Sequence, residues 1–81
     1  MKDEYILDLY SEFNKSKYDF VNKFCEIMFL NGYREMNCIY SIGQKIYSSL
    51  NLIDFNSIDE FKFHLNSLMY TQYRNEFRSL K

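Results

Sequence analysis

Apolar residues return every three or four positions along almost the whole chain, which is the repeat of an α-helix and not the alternation of a strand. Tyr5, Ile6, Leu9, Tyr10 and Phe13 share one face of a first helix expected over about Lys2 to Phe13, with Asn14-Lys15 as its break. Ser16, with Asp19 three places on, has the spacing of a loose capping box and opens a second helix over about 17–30. There Phe20, Val21, Phe24, Cys25, Ile27, Met28 and Phe29 leave a narrow polar strip, the pattern of a helix buried on two sides. Asn31-Gly32 supplies a left-handed stop.

A third helix is expected from about Tyr33 to Leu50, with one seam of Tyr33, Met36, Tyr40, Gly43, Tyr47 and Leu50 and another of Ile39, Ile42 and Ile46. Gly43 falls mid-helix, where it costs ~1 kcal/mol relative to Ala. A tight helix crossing between two tyrosines accounts for it better than close approach of a ligand. Residues 51–56 form a short linker whose Leu52, Ile53 and Phe55 are expected to tuck onto the bundle. Ser57 and Glu60 then make a capping box ahead of a fourth helix running from Ile58 towards Leu80. The chain therefore reads as all-α: one domain over residues 1–81, a compact bundle of about four helices with helices two and three central.

Helix four carries two apolar faces. At 100° per residue, Ile58, Phe61, Leu65, Leu68 and Met69 cluster as a core face. Phe63, Tyr70 and Phe77 recur at sevens well around the helix, with Tyr73 and Leu80 beside them and Arg74, Arg78 and Lys81 flanking. Two readings of this stripe stand open. It is a contact surface of Phe63, Tyr70, Tyr73, Arg74, Phe77 and Arg78, aromatic and Arg-rich as binding hot spots are. Or it is core, wrapped by helix one and the 51–56 linker.

Composition changes the picture in three ways. The chain is 47% hydrophobic with eight Phe and eight Tyr, enough to stabilise a small core and to argue against disorder. Ten basic and eleven acidic residues give a net charge of −1, unlike a general polyanion binder or an acidic nucleic-acid mimic. Ala, Pro and Trp are missing while Phe, Tyr, Ile, Asn and Lys fill nearly half the chain, the mark of AT-rich codons and a low-GC genome. A short reading frame of this kind suits a bacteriophage, plasmid or other mobile element. With no signal peptide at the charged start and no apolar run of the ~20 residues a bilayer needs, the expectation is a cytoplasmic protein of a low-GC bacterial host, off the membrane.

Candidate chemistry adds little. His64 is a lone histidine near the polar side of helix four, and Cys25 reads as a small buried hydrophobe. Cys25, Cys38 and His64 lack any metal-ligand spacing, and two glycines cannot build a phosphate loop. Asp3-Glu4 and Asp59-Glu60 sit in first helical turns, where acids meet the macrodipole favourably, and Asp8 and Glu12 share a solvated face. No catalytic, cofactor or metal residue is therefore assigned, and the chain is expected not to be an enzyme.

The expectation is an interaction protein that binds and inhibits or adapts another macromolecule. Its finer form is a mobile-element inhibitor of a host defence protein, of anti-CRISPR type. The partner expected is a protein, with homodimerisation through helix four an option. A small nucleic-acid-binding regulator is a different class and is not favoured: the apolar 51–56 linker is too long for a helix-turn-helix, and Asp59 and Glu60 would repel phosphate. A self-associating structural or immunity-type bundle is the third.

Overall fold

Each helix boundary traces to a local interaction. The computed structural model describes residues 2–78, with side chains up to Arg74. Helix α1 spans Asp3–Phe13 and starts without a side-chain cap, its acids Asp3 and Glu4 filling the first turn. Helix α2 spans Lys17–Leu30, and the Ser16 hydroxyl accepts from the Asp19 backbone N–H at 3.1 Å, as the spacing predicts. Helix α4 spans Ile58–Arg78. The Ser57 hydroxyl accepts from the Glu60 N–H at 3.3 Å, while the Glu60 carboxylate accepts at 2.9 Å from the Asn56 N–H, one residue further back than a standard capping box.

The start of helix α3, Met36–Leu50, corrects the expectation of Tyr33. Gly32 takes φ 96, the Gly32 N–H donates to the Phe29 carbonyl at 3.0 Å, and the Tyr33 N–H donates to the Met28 carbonyl at 3.1 Å. That double closure is a Schellman stop. Arg34 adds to it, donating to the Phe29 carbonyl at 2.8 Å. Tyr33 and Arg34 are spent on ending α2, so α3 cannot begin until the chain has turned.

Consecutive helices pack on one another and α1 returns to α4, closing a four-helix bundle with α2 and α3 central. Its core holds Ile6 and Leu9 of α1, Phe20, Val21, Phe24, Ile27 and Met28 of α2, Ile39, Ile42, Ile46 and Leu50 of α3, and Phe61 and Leu65 of α4. The Gly43 expectation of a tight helix crossing holds. A Cβ there would meet Phe24 Cδ1 at 3.0 Å and Val21 Cγ1 at 3.5 Å, so the close crossing, at the seam position between Tyr40 and Tyr47, is with α2.

Two further expectations need correcting. Phe29 is 49% exposed, because α2 is covered on the α1 and α3 sides and the Phe29 ring points past both, beneath the Arg34 guanidinium at 4.3 Å. In the linker, Phe55 packs on the core and Ile53 is half-buried, but Leu52 stands 88% exposed.

Candidate contact surface

Helix α4 is positioned by its first turns. Phe61 is fully buried among the rings of Tyr10, Phe13 and Phe55, with centroids 5.0, 5.8 and 5.5 Å away. Asp3 of α1 accepts from Lys62 Nζ at 2.8 Å, and the pairing holds the Asp3 carboxyl below its usual range and the Lys62 ammonium above its own. With Phe61 and Leu65 turned inward, the residues on the opposite side are exposed along the helix: Asp59, Phe63, Asn66, Ser67, Tyr70 and Arg74. Phe63 is 60% and Tyr70 70% exposed.

The sequence-derived stripe divides. Phe63, Tyr70 and Arg74 lie on the surface. Tyr73 lies half inside: its ring sits 5.6 Å from that of Tyr33, and its hydroxyl meets the Met28 sulfur. Burial first, then the neighbouring Tyr33 and Cys25, push its phenol well above the ordinary tyrosine range. Phe77 and Arg78 are named in the same stripe, but their side chains lie outside the described residues, as do Leu80 and Lys81.

Tyr33 completes the surface, although periodicity assigns it to the seam of the third helix and not to a place beside α4. Placed by the Gly32 stop, it rises beside α4 and forms, with Tyr70, Tyr73 and Arg74, a shallow open hollow of ≈ 600 Å³. A smaller one of ≈ 160 Å³, lined by Met28, Asn31, Tyr33, Met69 and Tyr73, shares its Tyr33 and Tyr73 walls. Aromatic walls, a thioether floor and one guanidinium make a place for an apolar side chain and its polar flank. A separate depression of ≈ 280 Å³ lies between α2 and α3, walled by Tyr18 and Tyr40 with Lys17, Asn22 and Gln44.

The remaining titratable groups are scattered. His64 lies 5.3 Å from the Phe63 ring, centroid to centroid. Cys25 and Cys38 are both half-buried free thiols, and burial raises the Cys25 thiol. Among the described residues, no three His, Cys, Asp or Glu side chains are grouped to hold a metal ion, and no helix is long and apolar enough to cross a membrane. No known protein family, curated protein or solved structure matches the chain.

Proposed function

We propose that this chain is a protein-binding domain without catalytic activity, and that it binds through the exposed face of α4 together with Tyr33. The observation that carries the reading is the double use of α4. The helix already supplies Phe61 and Leu65 to the core, yet it holds Phe63 and Tyr70 in water, 60% and 70% exposed, in line with Arg74. Large rings kept in water cost free energy unless something covers them. Aromatic and Arg side chains around a hollow are the usual anchors of protein interfaces.

The finer reading is an inhibitor or adaptor carried by a phage or other mobile element and directed at a host defence protein in the cytoplasm. Support for that step is compositional, from the AT-rich residue usage. A nucleic-acid target is disfavoured by Asp59 and Glu60 at the head of the same face and by the net charge of −1.

The test compares the tagged chain with its Tyr70→Glu variant in pull-downs from a low-GC bacterial lysate, with and without nuclease. Tyr70→Glu is expected to keep the helical circular dichroism while losing a protein that the unaltered chain retains after nuclease. Loss of helicity would make Tyr70 part of the core. Recovery abolished by nuclease would replace the protein reading with a nucleic-acid one.

A further inference from the structure

The exposed face of α4 has an order that fits one partner in particular. Reading along it, an acid at the start, Asp59, is followed by an aromatic, Phe63, two short polar residues, Asn66 and Ser67, a second aromatic, Tyr70, and a base, Arg74. All six are exposed. The order is symmetric about the middle in size and antisymmetric in charge. Taking α4 as regular, Asp59 and Arg74 lie about 22 Å apart along the axis, with Phe63 and Tyr70 about 10 Å apart between them.

We propose that this face pairs with the same face of a second copy of the chain, the two α4 helices running antiparallel about a two-fold axis between Asn66 and Ser67. This rests on the reading of α4 as a contact surface and names its partner. In that register Phe63 of one protomer meets Tyr70 of its partner, and Asp59 meets the partner's Arg74. The two-fold axis repeats both contacts, so one residue pair closes each end. Asn66 and Ser67 at the crossing are short enough to let the axes approach and polar enough to hydrogen-bond across it. A parallel arrangement would set Asp59 against Asp59 and Arg74 against Arg74, so charge selects the antiparallel one. The pair covers both exposed rings, and any other partner of this face must compete with it.

The experiment is sedimentation equilibrium on the full chain from the micromolar to the millimolar range, with Asp59→Arg and Arg74→Asp variants. The unaltered chain is expected to move from its 10.0 kDa monomer towards twice that mass as concentration rises. Each single variant sets like charges opposite one another at both ends and is expected to weaken association at least about tenfold. Mixed in equal amounts, the two variants restore opposite charges at both ends and are expected to associate as heterodimers. Both residues are exposed, and circular dichroism checks that each variant is folded. A chain that stays monomeric at millimolar concentration overturns the pairing, as does a dimer that neither reversal weakens or a mixture that does not recover. A monomer that still captures a Tyr70-dependent protein would retain the contact surface while removing self-pairing, whereas a dimer without such capture would do the opposite.

Discussion

The two ends of the bundle are built from the same residue types and finish in opposite states. At one end Phe13 lies 5.1 to 5.8 Å from the rings of Phe20, Tyr47, Phe55 and Phe61, a cluster that excludes water from Phe20 and Phe61 completely. At the other, Phe29, Leu30, Tyr33 and Tyr70 remain 44 to 70% exposed. Five segments converge at the closed end: the end of α1, the start of α2, the end of α3, the linker and the start of α4. Among the described residues, the ring contact at the open end, Tyr33 on Tyr73, involves no residue of α1, which meets α4 beside Ile58, Asp59 and Lys62, where Asp3, Ile6 and Leu7 lie. At 21 residues against 15, α4 is also about 9 Å longer than α3. Whether a ring becomes core or surface is decided here by how many chain segments meet around it.

The largest expected effect breaks the comparison most directly. Phe61→Ala removes a fully buried ring touching three others and should cost roughly 3–5 kcal/mol. That is much of the stability of a domain this size, about 5–10 kcal/mol. Tyr70→Ala at the open end should change stability by less than about 0.5 kcal/mol. Urea denaturation followed by circular dichroism measures both. Comparable losses would mean that the two ends are equally packed.

That contrast also marks what the sequence made legible. Helix periodicity, the Ser16 cap, the Gly32 stop and the Ser57–Glu60 box are local signals, and the structure keeps them all. The all-α bundle with α2 and α3 central followed from them. The inward face of α4 was legible too: Phe61 and Leu65 are fully buried, with Ile58, Leu68 and Met69 packed beside them. Its second stripe was legible as a pattern but not as a surface, since 100° per residue gives a direction without saying whether another helix lies there. Tyr33 escaped because its place depends on two backbone hydrogen bonds across Gly32, and Tyr73 because its neighbours Tyr33 and Met28 are 40 or more residues away in the chain. Phe29 misled because an Arg five residues on supplies cover that a helical wheel does not contain.

Between the ends, Gly43 sharpens the comparison by testing the middle of the α2–α3 contact. Alanine would be worth ~1 kcal/mol more than glycine in an unobstructed helix. Here the new methyl would lie 3.0 Å from Phe24 Cδ1, and Phe24 is a fully buried ring with little room to swing. Overpacking of that kind costs about 1–3 kcal/mol, so Gly43→Ala should destabilise by about 1 kcal/mol net. A stabilised variant would show that the mid-bundle yields as readily as the open end. Thermal unfolding read by circular dichroism distinguishes the signs.

Tyr73 lies on the seam between core and open surface, and the smallest effect comes from there. Tyr73→Phe keeps the ring against Tyr33 and removes a hydroxyl whose contact is the weak sulfur acceptor of Met28, a loss of about 0.5 kcal/mol at neutral pH. Its pH dependence is more informative than its size. Burial raises the folded-state phenol above the value near pH 10 at which an unfolded tyrosine ionises. Below pH about 10 both states hold the proton and the contribution is whole. Above it the unfolded chain releases a proton that the folded chain retains, so the unfolded state gains and stability falls as pH rises. The unaltered chain should therefore lose stability more steeply than Tyr73→Phe in urea titrations carried from neutral pH into the alkaline range. Equal slopes would put the Tyr73 hydroxyl in water beside Tyr70, and the open end would then reach one turn deeper into the bundle than its packing shows.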